Sequence, residues 1–571
     1  MRPHGRGCYP GFAARAGGPA ERAVDATGVH CFTSRAIVSP APPPPWSTIV
    51  TVPQPAEASV RALPLVGDAG LPPVGDAGLP LVGDAAMPAD VDITEYGEGP
   101  KEECGVFGIF APGEDVATAT FYALYTLQHR GQESAGIAVS NGKRIVVHKD
   151  MGLVNQVFSP SSLAGLPGHL AVGHTRYSTT GSSTWENAQP QYRETAAGGG
   201  IALGHNGNLV NTVDLARELG VDATNDSELM AMMLAQDIDV STEEAIVRVA
   251  PKLKGAFSVV ACDEQRLYAF RDRNGVRPLV IGRLPQGGWV IASETSALDI
   301  VGAVRVRDVE PGEVVAIDEN GISSTTFAKP TPNFCLFEWV YLARPDHVQN
   351  GRSVLSARRQ MGRVLAREAP VDADIVLPVP ESGRDAAAGY AAESGLPYAD
   401  GLVKNSYVGR TFIQPSQSLR ELGIRLKLSP VREVIEGRKL VVVDDSIVRG
   451  NTSRQLIAML KAVGAAEVHL RISSPPIKNP CYYGIDMASR SQLIGADMEV
   501  DEIRAFIGAD SLHYISLEGL MGCTPVAPDK LCRACFDGRY PIPVPGEQMS
   551  YAEDSQVAKE HKVTQTNASS V

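Results

Sequence analysis

Two adjacent acids, Asp444 and Asp445, end an apolar, mostly β-branched run at 440–443 in the string KLVVVDDSIVRGNTSRQ. A short polar turn with Arg449 and Gly450 follows, and Asn451, Thr452 and Ser453 open a helix. That helix is amphipathic, with Leu456, Met459, Leu460 and Val463 at i, i+3, i+4 and i+7. Strand, acidic tip, small-residue turn and helix N-terminus together make a cradle for phosphate. The first-turn N–H groups and the helix dipole favour an anion there. Acids at the carboxyl edge of such a strand suit ribose hydroxyls or a hard cation. The string is not a Walker A loop, because no Gly-Lys-Ser/Thr follows its first glycine. Taken alone, it also reads as an ordinary strand and capped helix with two solvated acids.

Sulfur is the second chemical resource. Cys104 opens a short apolar stretch, CGVFGIF, where a lone cysteine is ordinarily a core residue. Cys532 and Cys535 form a CxxC in LCRACFDGRYP, open between a redox motif, half of a zinc site and part of a cluster. Nine cysteines, scattered and odd in number, do not make a secreted disulfide framework and point to a reducing compartment.

Positioning these groups takes more than one domain, and 571 residues allow about two to four. An apolar share of 44% and a charged share of 20% belong to a soluble globular protein. No apolar run approaches the ~20 residues that would cross a bilayer, so no membrane partner is expected. A net charge of −13 argues against a general nucleic-acid binder, so an anionic substrate needs a local basic pocket.

Residues 1–103 read as a leader or propeptide without fixed structure. They are rich in Gly, Ala, Pro and Arg, then repeat as LPLVGDAG, LPPVGDAG and LPLVGDAA from residues 63, 71 and 79. Three copies this short cannot stack into a solenoid. Met87 is an alternative start, and the Arg-rich, acid-poor beginning is also that of an organelle transit peptide, the alternative to a cytoplasmic location. From Lys101, strands are expected at 145–148, 169–173, 201–203, 258–262, 267–270, 279–281 and 289–292, with helices at 226–236 and 242–253, an α+β layered pattern. After residue 346 the chain turns to β–α alternation: helix 354–367, strand 375–379, helix 385–393, strand 439–443 with its helix, and strand 468–472. That pattern is a parallel doubly wound sheet. The polar residues 541–571 read as a disordered tail.

VVVDDSIVRGNTS closely resembles the phosphoribosyl-diphosphate (PRPP) signature of type I phosphoribosyltransferases. CGVFGIF, HRGQESAG (129–136), GHTRYSTTG (173–181), GHNGNLVN (204–211) and NDSE (225–228), in that order, resemble the N-terminal-nucleophile (αββα), class II glutamine amidotransferase domain. Together, over roughly residues 101–540, they resemble the glutamine PRPP amidotransferase family. The resemblance implies an amidotransferase domain at 104–335 and a phosphoribosyltransferase domain with a cluster-binding segment at 336–540. It implies transfer of ammonia from glutamine to C1 of PRPP, releasing glutamate and pyrophosphate and forming phosphoribosylamine, the first committed step of purine synthesis. Cys104 would be the nucleophile and, after removal of everything before it, its α-amino group the base. Arg176 would hold the glutamine carboxylate, Asp226 its ammonium, and Asn206 and Gly207 the oxyanion.

On the same resemblance, PVPESGRDAA (378–387) holds pyrophosphate, and Ser382, Asp444 and Asp445 are associated with Mg²⁺. Asn451, Thr452 and Ser453 hold the 5′-phosphate. Lys404, Arg410 and Lys427 approach PRPP from a closing loop and its flank. Ammonia would travel through an internal channel. Cys335, Cys481, Cys532 and Cys535 match the ligands of a [4Fe–4S] cluster, with zinc as the inorganic alternative; Cys8, Cys31, Cys262 and Cys523 have no assigned role. Feedback by purine nucleotides, a homotetramer and a cytoplasmic location are further expectations. Two rivals remain: another class II glutamine amidotransferase, which would lack VVVDDSIVRGNTS, and a nucleotide-binding regulator, which would need no Cys104 pocket.

Overall fold

Apolar stretches without strict alternation build the first half, because their strands are covered on both faces. In Gly105–Phe110, Val106 and Phe110 face one neighbour while Phe107 and Ile109 face the other, and all four are buried. The structure, a computed structural model, describes residues 104–177, 184–195, 198–236, 241–405, 427–485, 487 and 489–546. All belong to one compact unit, Pro88–Val571. The expectations for the leader, for Arg410 and for the tail beyond 546 lie outside the described residues. Residues 541–546, expected as part of that tail, are described; there the Ile542 N–H donates to the Tyr483 hydroxyl at 3.0 Å, and Ile542 and Val544 pack against the core.

Two antiparallel sheets stack face to face. The first runs Val304–Asp308, Val280–Arg283, Trp289–Ala292, Gly105–Phe110, Leu170–Arg176, Ser134–Ser140, Ile145–Met151. The second runs Gly321–Thr326, Glu313–Asp318, Leu267–Arg271, Gly255–Cys262, Gly200–Leu209, Gln191–Glu194. Val106, Val172, Ala202, Val260 and Ile281 fill the space between them. Helices Val116–Thr126 and Thr295–Ile300 cover the outer face of the first sheet, and Asp226–Gln236 and Thr242–Val249 that of the second. Helix, sheet, sheet, helix is the expected αββα arrangement. At about 1.5–3 kcal/mol for each fully buried large aliphatic side chain, these three apolar layers hold the loops at the strand ends in place.

The second half is a parallel sheet in the order Ile375–Pro378, Lys439–Asp444, Glu467–Ile472, Ser511–Tyr514. Leu440 and Val442 face helices Asn451–Ala462 and Val500–Ile507; Val441 and Val443 face Val354–Glu368 and Arg384–Ser394. Continuous burial on two faces is why 440–443 reads as an unbroken apolar run. The core on the second face continues past Leu336, Trp339 and Tyr483 to Val210, Ala256 and Val276 of the sandwich. The two halves therefore share packed surface. Ser511–Tyr514 and the helix before it were not expected from sequence, nor were the edge strands Val304–Asp308 and Gly321–Thr326. Among the described residues no helix is long and apolar enough to cross a membrane.

Two candidate active sites and a four-cysteine corner

Cys104 is buried at the entry to its strand, and its thiol donates to the Tyr177 carbonyl at 3.4 Å. Burial pushes the thiol pKa up to about 11; the Tyr177 contact and the Arg176 charge pull it down, while Asp226 and Glu133 add to the rise. The thiol is therefore protonated at neutral pH and needs a base before it can attack. Two of the three charges acting on it, those of Arg176 and Asp226, belong to residues expected around glutamine.

Arg176 ends the strand Leu170–Arg176, is buried, and lies 3.9 Å from Glu133. Asp226 opens the helix Asp226–Gln236, where the helix dipole favours a carboxylate. It accepts the Leu209 N–H at 3.0 Å and faces His205 Nδ1 at 3.7 Å. Burial alone would raise its pKa, but His205 and these hydrogen bonds outweigh that and hold it below the usual carboxylate range.

Asn206 is fully buried, and neither its side-chain oxygen nor its nitrogen has a hydrogen-bond partner among the described residues. Such an orphaned amide costs about 1–3 kcal/mol, and a ligand that takes up its N–H accounts for it. Gly207 follows at φ +145°, and a Cβ there would lie 2.0 Å from the Ala256 carbonyl oxygen, so no side chain fits. His174 Nε2 lies 3.0 Å from the His205 carbonyl, tying the Arg176 strand to the Asn206 strand. A carbonyl only accepts, so the imidazole proton sits on Nε2. Burial lowers the His174 pKa to about 3, which keeps the ring neutral.

In the other half, Asp444 ends its strand and its Oδ1 accepts the Asp445 N–H at 2.9 Å. The Ser382 and Ser446 hydroxyls donate to the Asp445 carboxylate. Burial, then the neighbouring Asp445 charge, raises the Asp444 pKa well above the usual range; burial also raises Asp445. Two like charges side by side, Asp445 buried and Asp444 half-buried, suit a cation. Gly383 brings the Ser382 turn close, since a Cβ there would lie 2.3 Å from the Val443 carbonyl oxygen. Gly450 at φ +82° turns the chain into the helix Asn451–Ala462, which no side chain caps. Asn451, Thr452 and Ser453 form its first turn. Lys404 lies opposite Leu428 in an antiparallel pair, and the Asn405 N–H donates to the Lys427 carbonyl at 2.9 Å. Lys404 and Lys427 thus flank the two ends of the segment that holds Arg410.

Cys335 and Cys532 are register partners in a short parallel pair, Phe334–Cys335 with Leu531–Cys532. Cys535 lies in the following turn of helix, Ala534–Asp537. Cys481 accepts the Tyr483 N–H at 3.4 Å, with an Arg277 nitrogen at 3.9 Å. All four are free thiols. The Lys478 and Asn479 N–H groups donate to the Cys535 carbonyl at 2.9 and 3.1 Å, which brings the segment before Cys481 against Cys535. Burial and then the charges of Cys335, Cys481 and Cys532 raise the Cys535 pKa well above the usual thiol range. Among the described residues no set of three or more His, Cys, Asp or Glu is spaced to hold a metal ion.

Sequence reasoning missed several residues here. Glu133, inside HRGQES, sits on Arg176; His205 and Ser227 flank Asp226. Tyr177 acts through its carbonyl and leaves no side-chain signal. A buried charge network also went unseen. Arg130 meets Glu338 at 2.8 Å and Glu294 at 2.5 Å, Arg277 meets Glu338 at 3.5 Å, and both ends of the network are buried. The one readable hint was Glu338, alone in the apolar run CLFEWVYL.

A glutamine amidotransferase domain model matches residues 174–300. Among curated proteins, the amidophosphoribosyltransferase of Mycobacterium tuberculosis is 58% identical over 464 residues, covering 78% of this chain and 88% of the relative. That of Bacillus subtilis is 45% identical, covering 78% and 96%. Among solved structures, the glutamine phosphoribosylpyrophosphate amidotransferase of B. subtilis, complexed with ADP and GMP, superposes with a TM-score of 0.74 at 44% identity, covering 78% of this chain and 98% of that one.

Proposed function

The chain belongs to the amidophosphoribosyltransferase family, and from that premise we propose how its residues divide the reaction. The enzyme moves ammonia from glutamine to C1 of PRPP in purine biosynthesis, releasing glutamate and pyrophosphate and forming phosphoribosylamine. Residues 104–335 carry the glutamine half and 336–540 the phosphoribosyl half.

Arg176 pairs with the glutamine carboxylate and Asp226 with its ammonium, which sets the side-chain amide against Cys104. The Cys104 sulfur bonds to the amide carbon while the thiol proton passes to a base. His174 is too weak a base for this. The α-amino group of Cys104 itself, freed when residues 1–103 are removed, has the required pKa of about 8. Negative charge on the amide oxygen is met by Asn206 Nδ2 and the Gly207 N–H. Collapse breaks the C–N bond and expels ammonia, which takes up the transferred proton; water then hydrolyses the thioester to glutamate. The observation that carries this reading is the buried Asn206 amide with both atoms unpartnered, beside a glycine that cannot bear a side chain.

In the phosphoribosyl half, the first-turn N–H groups at Asn451, Thr452 and Ser453 take the 5′-phosphate, and Asp444 and Asp445 the ribose hydroxyls. Lys404, Arg410 and Lys427 balance the pyrophosphate charge and close the site against water, which competes with ammonia. The paired acids with Ser382 fit Mg²⁺, an oxygen-seeking ion that would neutralise the departing pyrophosphate. Three buried thiols, Cys335, Cys532 and Cys535, and the half-buried Cys481 against the Arg277 guanidinium have the donor chemistry of a [4Fe–4S] cluster, which these four would hold and which would cross-link distant parts of the chain. Purine nucleotides as feedback inhibitors, a homotetramer and a cytoplasmic location complete the reading on family membership.

Cys104→Ser tests it. Glutamine-dependent transfer should be lost while ammonia-dependent transfer continues, because only the glutamine half uses the thiol. Parallel loss of both activities, or survival of the first, would overturn the assignment.

A further inference from the structure

The turn at 481–484 leaves the four-cysteine corner and crosses to the strand that carries Asn206 and Gly207. Asn208, on the same strand, donates its Nδ2 to the Tyr482 carbonyl at 3.0 Å. Arg277 Nε donates to the Tyr483 carbonyl at 2.9 Å. Gly484 comes next at φ +115°, and a Cβ there would lie 3.0 Å from both Cα and the carbonyl carbon of Gly207. Backbone thus rests on backbone at Gly207, on the carbonyl side of the residue whose N–H is expected to meet the oxyanion. Asn208, Arg277, Tyr482 and Tyr483 are all buried. The far end is anchored as well, where the Tyr483 hydroxyl accepts the Ile542 N–H at 3.0 Å.

We propose that residues 482–484 are a strut for the oxyanion hole, with Asn208, Arg277 and Gly484 as positioning residues that fix the Gly207 peptide. The proposal rests on the reading of Asn206 and Gly207 as oxyanion donors. Gly207 must be glycine because of its φ and the nearby Ala256 carbonyl, yet glycine is the residue whose peptide turns most freely. An oxyanion donor is effective only when held at the position where charge develops. The strand ladder fixes one side of Gly207, through Phe257; the 482–484 turn closes the other. Two carbonyls locked by side chains of the amidotransferase half keep that turn in register. The strut follows directly on Cys481, so the glutamine site is braced by a segment of the other half of the molecule.

The test uses the full holoenzyme with Asn208→Ala and Gly484→Ala, and Asn206→Ala as the direct oxyanion variant. Both strut variants should lower kcat for glutamine hydrolysis about tenfold or more, with glutamine KM changed less than about threefold, since a lost oxyanion donor costs ~10²–10³ in kcat. Ammonia-dependent transfer and iron content should stay at wild-type levels. A KM effect with kcat unchanged, or a parallel loss of ammonia-dependent transfer, would overturn the strut. If Asn206→Ala collapses kcat while both strut variants retain it, the strut alone is wrong. If Asn206→Ala itself keeps kcat, the oxyanion reading beneath it fails. Should Gly484→Ala not fold, Asn208→Ala decides.

Discussion

Cys104 is a weak nucleophile as it stands, because burial holds its thiol pKa near 11. A base of pKa about 8 changes the pH dependence that should be seen. Glutamine-dependent kcat/KM should rise with pH through about 8, where the α-amine loses its proton, and level off well below 11. A rise that continues toward pH 11 would mean that the thiol ionises unaided. Asp445 is the corresponding residue of the other half: Asp445→Asn should lower glutamine-dependent and ammonia-dependent transfer together, by about 10² or more, since both need a bound, polarised PRPP. Loss of the glutamine activity alone would remove Asp445 from the PRPP site. Much of this scale was legible in the sequence. Asp444, Asp445 and the opening of the next helix are contiguous, so one string displays them. Glu133, His205 and Tyr177 were not legible in role, because their partners lie tens of residues away or are backbone atoms.

At the scale of elements, strands buried on both faces were readable as apolar runs, and Gly105–Phe110 and Lys439–Asp444 were read as such. The edge strands Val304–Asp308 and Gly321–Thr326 alternate with exposed and polar residues, and Ser511–Tyr514 is short; none stands out until its neighbour is known. Charged residues read as surface, so the buried set Arg130, Glu294, Arg277 and Glu338 was invisible, although it joins the sandwich to the π-helical turn Glu338–Leu342. Burial would raise the Glu294 pKa, but Arg130 and His129 outweigh it and hold it well below the usual range. A depressed folded pKa means that this contribution to stability is fully present above the ordinary glutamate pKa of about 4.3 and is lost as pH falls through the folded value. Glu294→Gln should therefore destabilise the enzyme by about 3–5 kcal/mol in urea unfolding at neutral pH, because it leaves buried cations short of a partner. The gap to wild type should shrink only below about pH 4.3. An equal gap at pH 7 and at the acid limit would show that the variant acts through packing instead.

At the scale of the molecule, the four-cysteine corner gathers Cys335, Cys481, Cys532 and Cys535 from three places in the chain, next to the turn that reaches the glutamine site. Protein purified without oxygen should carry about four iron and four sulfide per chain. Chelation under oxidising conditions should lower Tm and reduce glutamine-dependent activity before ammonia-dependent activity. Zinc without sulfide would contradict the cluster and keep only the four ligands. The division of labour itself is tested most directly by the N-terminus of the working enzyme. N-terminal sequencing and intact mass of fully active protein should give a chain that begins at Cys104. An enzyme that hydrolyses glutamine at full rate while still carrying Glu103 would have no free amine at Cys104, and would contradict the account.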